Sequence, residues 1–247
     1  MSDATTPLLA AHYVSKSFSG LRAVADVSFE VVRNSVTALI GPNGAGKTTV
    51  FNLISGVCRP DSGHVELDGQ SVMSLRPDQI CRAGVGRTFQ IAKPFGDLSV
   101  ADNVAIGALS TTSSVKEARR RTRRILELLE LGEESDKPAH SLTLPGRKRL
   151  EVARALATEP KILLLDEVMA GLRPTETDRM VEILRELNRS TGLTILLIEH
   201  VMRAVMALSE RVVVLNHGKT ICIGTPQEVV KDPQVLECYL GEEAPQC

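Results

Sequence analysis

The eight residues Gly41-Pro42-Asn43-Gly44-Ala45-Gly46-Lys47-Thr48 restrict the possible folds of this chain more than any other stretch. They follow an apolar run, Val36–Ile40, and lead into helix-compatible residues from Thr49 to Ser55, with Gly56 as a stop. The pattern G-x-x-x-x-G-K-[ST] between a strand and a helix makes a loop whose backbone N–H groups converge on phosphate oxygens. Glycines permit this because no Cβ blocks the anion. The helix start turns its positive dipole end toward the same point. Lys47 adds a point charge for the β- and γ-phosphates, and Thr48 offers an oxygen to Mg²⁺. Gly41 through Thr49, taken singly Gly41, Pro42, Asn43, Gly44, Ala45, Gly46, Lys47, Thr48 and Thr49, are the expected contacts to ATP.

A second element fits the first. Lys161-Ile162-Leu163-Leu164-Leu165-Asp166-Glu167 is an apolar strand ending in two carboxylates. Asp166 at the strand end is suited to hold Mg²⁺ through water. Glu167 then orients and deprotonates an attacking water. Either element alone is a modest signal; together they predict a nucleoside triphosphatase that uses ATP and Mg²⁺.

Around these elements the chain reads as α/β. Leu8–Val14 and Val24–Val32 read as strands, the second with the alternation of a half-buried antiparallel strand. From about 99 to 157 helical patterns dominate, opened by a capping box at Ser99-Val100-Ala101-Asp102. The basic run Arg119–Arg124 on a helix reads as a solvated face, with a lipid headgroup or membrane partner as the alternative. Beyond Pro160, Ile162–Leu165 and Leu193–Ile198 are continuous apolar runs, as in parallel strands buried on both faces. Residues 174–188 read as the helix joining them. A hairpin is expected around Asn216-His217-Gly218, and short helices after Thr225 and Asp232. The reading is one domain over 1–247: a P-loop NTPase core with a mostly parallel sheet and an N-terminal antiparallel β-subdomain (about 1–90 and 159–247), and an inserted α-helical subdomain (about 91–158).

Composition narrows the partners. A net charge of −1 and a pI near 6.5 argue against a broad nucleic-acid-binding face. No apolar run approaches the roughly 18 residues needed to cross a bilayer, and the N-terminus has no secretory pattern. Membrane work would have to pass through a separate polypeptide. The five cysteines are scattered and read as free thiols in a reducing compartment. The five histidines show no metal-ligand spacing, so no zinc site is expected.

With these motifs in place, the chain resembles the ABC ATPases along nearly its whole length. The resemblance implies an aromatic stacked on adenine at Phe18, for which a buried core Phe is the alternative reading. It implies a Q-loop glutamine at Gln90, ending Gly86-Arg87-Thr88-Phe89-Gln90, that contacts Mg²⁺ or the attacking water and reports nucleotide state to a membrane subunit. It implies a D-loop at Ala170-Gly171-Leu172-Arg173 and a switch histidine at His200 that contacts the γ-phosphate. The catalytic set is then Glu167, His200 and Gln90, and the metal set Thr48, Gln90 and Asp166. Within the family the chain is similar to ATPases of branched-chain amino acid importers, through residues 86–90, 169–172, 198–200 and the tail 235–241.

That resemblance implies a head-to-tail pair of ATPase subunits, identical or not, with ATP between the phosphate loop of one and the signature helix of the other. It implies separate permease subunits, a solute-binding protein acting indirectly, and a peripheral place on the cytoplasmic face of the inner membrane. The chain departs from the family pattern in three places. The usual Leu-Ser-Gly-Gly-Gln is Leu142-Thr143-Leu144-Pro145-Gly146 here. Thr143 keeps a hydroxyl for the partner's ATP, Pro145 removes a backbone N–H, and 146–149 are expected to supply other donors. Val168 replaces a proline, and Arg173 stands where Asp or Asn is usual. Two alternatives stand beside amino acid import: another cargo (urea, amides or a lipid), and a regulatory ATP-binding switch with weak hydrolysis.

Overall fold

A buried apolar run opens β1 (Pro7–Phe18) and alternating apolar and polar residues build β2 (Leu21–Val32); the two pair as an antiparallel hairpin. Ser19 and Gly20 close it, both with positive φ (48° and 87°), as a two-residue hairpin loop requires. The sequence pattern breaks at Val14, yet β1 continues to Phe18. A bulge at Tyr13 (φ 50°) shifts the register between Ala11 and Val14 and restores the pairing beyond it. The computed structural model describes residues 7–89 and 94–240.

Next come β3 (Val36–Ile40), α1 (Lys47–Ile54), β4 (Ser62–Leu67), β5 (Gln70–Ser71), α2 (Pro77–Ala83) and β6 (Val85–Arg87). Three helices follow, α3 (Val100–Ala108), α4 (Val115–Leu128) and α5 (Leu144–Leu156). Ser99 caps α3, its Oγ accepting from the Asp102 N–H at 3.0 Å, the expected start of that helix. On α4, Ile125 and Leu126 are buried while Arg119, Arg120, Arg123 and Arg124 face solvent, and Glu117 takes up Arg120 and Arg121.

The C-terminal part alternates β7 (Ile162–Asp166), α6 (Pro174–Thr191), β8 (Thr194–Ile198), α7 (Met202–Leu208) and β9 (Arg211–Asn216). It ends with β10 (Lys219–Gly224), α8 (Pro226–Val229) and α9 (Pro233–Leu240). Helix α6 runs past Asn188 to Thr191, where Gly192 (φ 66°) caps it. No helix among the described residues is long and apolar enough to cross a membrane.

Two sheets result. The smaller has the order β2-β1-β4-β5 and is antiparallel. The larger has the order β10-β9-β3-β8-β7-β6, parallel except for the edge strand β10. Its buried strands alternate between two cores. Leu163, Leu165, Ile195 and Leu197 pack with the helices of the middle segment, while Ile162, Leu164, Leu196 and Ile198 pack with α1 and the antiparallel sheet. This is the P-loop NTPase arrangement of a mostly parallel sheet, an N-terminal antiparallel sheet and inserted helices.

Candidate nucleotide site

In an open parallel sheet, ligands bind beyond the carboxyl ends of the strands. β3, β8 and β7 are adjacent, with Leu39 beside Ile198 and Ile198 beside Asp166. Their ends therefore deliver the loop 41–48, His200 and the Asp166-Glu167 pair to one crevice.

The loop needs glycine at two points for different reasons. A Cβ at Gly41 (φ 151°) would lie 2.1 Å from the Leu215 carbonyl oxygen. Gly46 (φ 99°) caps α1 in the left-handed region, and a Cβ there would lie 2.5 Å from the Ala23 oxygen. Lys47 is buried and its Nζ donates to the Gly41 and Pro42 carbonyls at 2.7 and 2.8 Å, which draws its charge over the loop. Pro42 and Ala45 are buried, Thr49 is half-buried, and Asn43, Gly44 and Thr48 are exposed on the open side. Phe18 is 47% exposed, so it is not a core residue. It ends β1 opposite Leu21, close in sequence to the Ala23 backbone that Gly46 packs on.

Asp166 is 1% exposed. Its N–H donates to Thr88 Oγ1 (2.9 Å), and Oδ2 accepts from Arg87 Nη2 at 3.3 Å. Oδ1 is buried and accepts no hydrogen bond among the described residues. Burial pushes this carboxyl above the usual carboxylate range, against the pull of Arg87. A buried, under-coordinated carboxylate oxygen fits an Mg²⁺ site, since that ion takes one or two carboxylates and keeps several waters.

Glu167 has φ 51°, an unusual value for a non-glycine residue. Its N–H donates to Ile198 O (2.9 Å), and Lys148 Nζ, from α5, donates to its carbonyl at 3.0 Å. Held this way, its Oε1 lies 3.0 Å from His200 Nε2. The structure thus brings together Lys47, Thr48, Asp166, Glu167 and His200. Gln90 lies outside the described residues.

Thr143 is at the exposed N-terminus of α5, where its hydroxyl makes no cap hydrogen bond. Pro145 is in the first turn of α5, where a missing N–H costs the helix nothing. Of the side chains at 147–149, Arg147 is exposed, Lys148 is buried and Arg149 is half-buried. Arg147 binds the Leu142 and His140 carbonyls, Lys148 binds Glu167, and Arg149 binds Glu130. Val168 is fully buried, so an apolar residue serves there. Arg173 is drawn back onto Glu176 (Nε to Oε1, 2.8 Å) at the start of α6.

Sequence reading gave no role to Arg87 or Glu199. Arg87 Nη1 donates to Asn52 Oδ1 (2.7 Å) and Ser55 Oγ (2.8 Å), so it ties α1 to Asp166. Glu199 is 2% exposed, and its Oε1 accepts from the Met169 N–H at 2.9 Å, anchoring the loop after Glu167. A charged residue at the end of a fully apolar strand was the available signal for Glu199.

Burial raises Glu199 from 4.5 to about 7, with Glu167 adding repulsion and the Met169 N–H opposing. The folded protein therefore holds this proton more tightly than the unfolded chain. The contribution of Glu199 to stability is lost as pH rises from about 4.5 to about 7 and is constant above. Glu199→Gln keeps the acceptor for Met169 without the charge. Urea unfolding is expected to find it about 3 kcal/mol more stable than wild type at pH 8, with the two converging near pH 4.5.

Family comparisons agree with this geometry. The ABC transporter family model matches residues 24–170, and that of the branched-chain amino acid ATP-binding cassette transporter matches 219–245. The high-affinity branched-chain amino acid transport ATP-binding protein LivG of Salmonella typhimurium is 40% identical, covering 96% of this chain and 98% of LivG. BraF of Pseudomonas aeruginosa, with the same description, is 38% identical over 96% of this chain and 98% of its own. The lipopolysaccharide export system ATP-binding protein LptB of Acidithiobacillus ferridurans is also 38% identical, with the same coverage. Among solved structures, an ATP-binding cassette of an ABC transporter in its ADP conformation superposes with a TM-score of 0.87 at 30% identity, over 96% of this chain and 100% of that one. The chain belongs to the ABC transporter family, as an ATP-binding subunit whose ATPase activity is coupled to transport.

Proposed function

We propose that this chain is the ATP-hydrolysing subunit of an importer for branched-chain or related amino acids. The match of residues 219–245 to the branched-chain model carries the choice of cargo, because relatives of both import and export systems share the cassette core equally. The division of roles within the chain follows the core at about 1–90 and 159–247 and the helical part at about 91–158.

Gly41 through Thr49 cradle the triphosphate, Lys47 leaves its loop carbonyls for the β- and γ-phosphates, and Phe18 stacks on adenine. Thr48, Asp166 and Gln90 would hold Mg²⁺, which supplies charge neutralisation on the phosphate oxygens when bound. Glu167 takes the proton of the water that attacks the γ-phosphorus, and His200 keeps the Glu167 carboxylate aimed. Thr143 and the start of α5 meet the γ-phosphate of a second ABC ATPase subunit, identical or not, placed head to tail. Closure of that pair drives the permease.

The permease contact we propose is an open cavity of about 310 Å³ between α2, β6, α3 and α5. Val57, Phe89 and Ile106 line it with more than two-fifths of their surfaces exposed, and Glu151 and Arg154 lie within it. Phe89, which lines this groove, directly precedes Gln90 in the sequence. A cytoplasmic helix of the permease fits this apolar, charge-floored groove. A solute-binding protein acts indirectly, and the ATPase stays peripheral, on the cytoplasmic face of the inner membrane.

Reconstitution in proteoliposomes with permease subunits and a solute-binding protein of a branched-chain amino acid importer tests the reading. Leucine uptake dependent on ATP and Mg²⁺ is expected. Ile106→Asp should cut uptake roughly tenfold or more and leave hydrolysis by the isolated subunit unaltered. Uptake of urea or amides instead, or lipid extraction, would reject the amino acid assignment. ATP binding without phosphate release from the complete complex would favour a regulatory switch.

A further inference from the structure

We propose that His12, His64 and Glu66 form a binding site for a transition-metal dication of the zinc, cobalt or nickel class on the antiparallel sheet. The two histidines lie far apart in the chain but directly opposite each other on β1 and β4. Side chains in that relation stand about 5 Å apart on one face of a sheet. Glu66 is two residues beyond His64 on the same strand and so projects from the same face.

The three side chains converge. The imidazole rings are 4.8 Å apart between centroids, tilted by 31°. Both Nε2 atoms address one carboxylate, His64 at 3.2 Å from Oε1 and His12 at 4.0 Å from Oε2. One donor atom from each residue falls within 4.8 Å of the other two. A tetrahedral ion with bonds of about 2.0–2.1 Å holds its donors about 3.3 Å apart. The present separations bracket that value. The side chains are 36%, 47% and 34% exposed, so small rotations close the set and water can reach a fourth position.

The backbone beneath is firmly held. Ala11 and Val65, their strand neighbours, are buried at 2% and 0% exposure. Gly63 lets β4 pass against the Tyr13 bulge, where a Cβ would lie 2.3 Å from the Tyr13 oxygen. His12 and His64 therefore flank a contact that fixes their register. Two imidazoles and a carboxylate favour zinc, cobalt, nickel or copper over magnesium or calcium. The site is thus chemically distinct from the oxygen ligands of the nucleotide crevice. An ion here would join β1 to β4 and stiffen the strand that ends in Phe18.

The test uses the full chain without nucleotide, titrated with Zn²⁺ by calorimetry and with Co²⁺ by absorption. One equivalent of each is expected to bind. The cobalt complex should show visible ligand-field bands and no thiolate charge-transfer band in the near ultraviolet. His12→Ala and His64→Ala should each weaken binding by more than the roughly tenfold that losing an outer-shell partner costs. Zn²⁺ at a hundredfold excess over its Kd should raise Tm by about 5 °C, and this shift should vanish in His64→Ala. His64→Gln serves if the alanine variant fails to fold by circular dichroism. Undiminished binding in both histidine variants, a thiolate band, or no Zn²⁺ binding up to millimolar concentration would overturn the proposal.

Discussion

Glu167→Gln is expected to lower steady-state phosphate release by about a thousandfold while MgATP affinity stays within about threefold. The substitution keeps the volume and polarity of the side chain. It also keeps an oxygen within reach of His200, which sits 3.0 Å from Oε1. What it removes is the ability to accept a proton from water. Because Glu167 lies beyond the end of β7 and not in the phosphate loop, the nucleotide cradle is left intact. The backbone at this position tolerates the change, since its φ of 51° is held from outside by Ile198 O and by Lys148 Nζ. Phosphate release measured alongside equilibrium nucleotide binding checks both halves. Turnover equal to wild type would remove Glu167 from the role of base. A parallel loss of affinity would mean that the residue serves binding instead.

Arg87→Leu should be the most damaging single change to stability outside the apolar core. The Arg87 and Asp166 side chains are only 7% and 2% exposed. Removing one partner of a buried ion pair leaves the other charge unanswered, which costs about 3–5 kcal/mol. Thermal unfolding should fall by about 10 °C. The guanidinium also lies over the Phe51 and Phe89 rings, at 5.8 and 5.1 Å, so packing is lost with the charge. Asp166 is already raised by burial, and without Arg87 it rises further. The folded variant then binds a proton more tightly than its unfolded chain does. Its deficit should therefore be largest at neutral and alkaline pH and shrink as pH falls. Asp166→Asn in the Arg87→Leu background should recover part of the loss, because it removes the stranded charge. A strictly additive double mutant would show that the pair is not coupled.

The parts of this molecule legible in its sequence are those encoded by neighbouring residues. Gly41–Thr48 announces itself because loop, cap and helix start are contiguous. The cap at Ser99, the Thr225-Glu228 capping box and the apolar runs of β7 and β8 are local in the same sense, and all appear where expected. β4, β5, α2 and β6 escaped because they are short and mixed in polarity, and β4 and β6 form by pairing with the distant strands β1 and β7. The Tyr13 bulge hid the second half of β1 by breaking its period. Arg87, Glu199 and the His12–His64 pair were illegible for one reason. Each has its meaning only once strands remote in sequence lie side by side, as Arg87 does with Asp166 and His12 with His64. Phe18 is the intermediate case: its type admitted two readings, and its exposure removes the core alternative.

The alternation of the central strands between two cores makes the parallel sheet a partition wall. Leu163, Leu165, Ile195 and Leu197 answer only to the helical side, and Ile162, Leu164, Leu196 and Ile198 only to the side of α1 and the antiparallel sheet. Volume changes on one side have no route to the other except through the strands themselves, because close-packed interiors do not flow. A change of side-chain volume among the helices can therefore be absorbed there while the packing around α1 and the antiparallel sheet stays as it was, so each face of the wall can vary on its own.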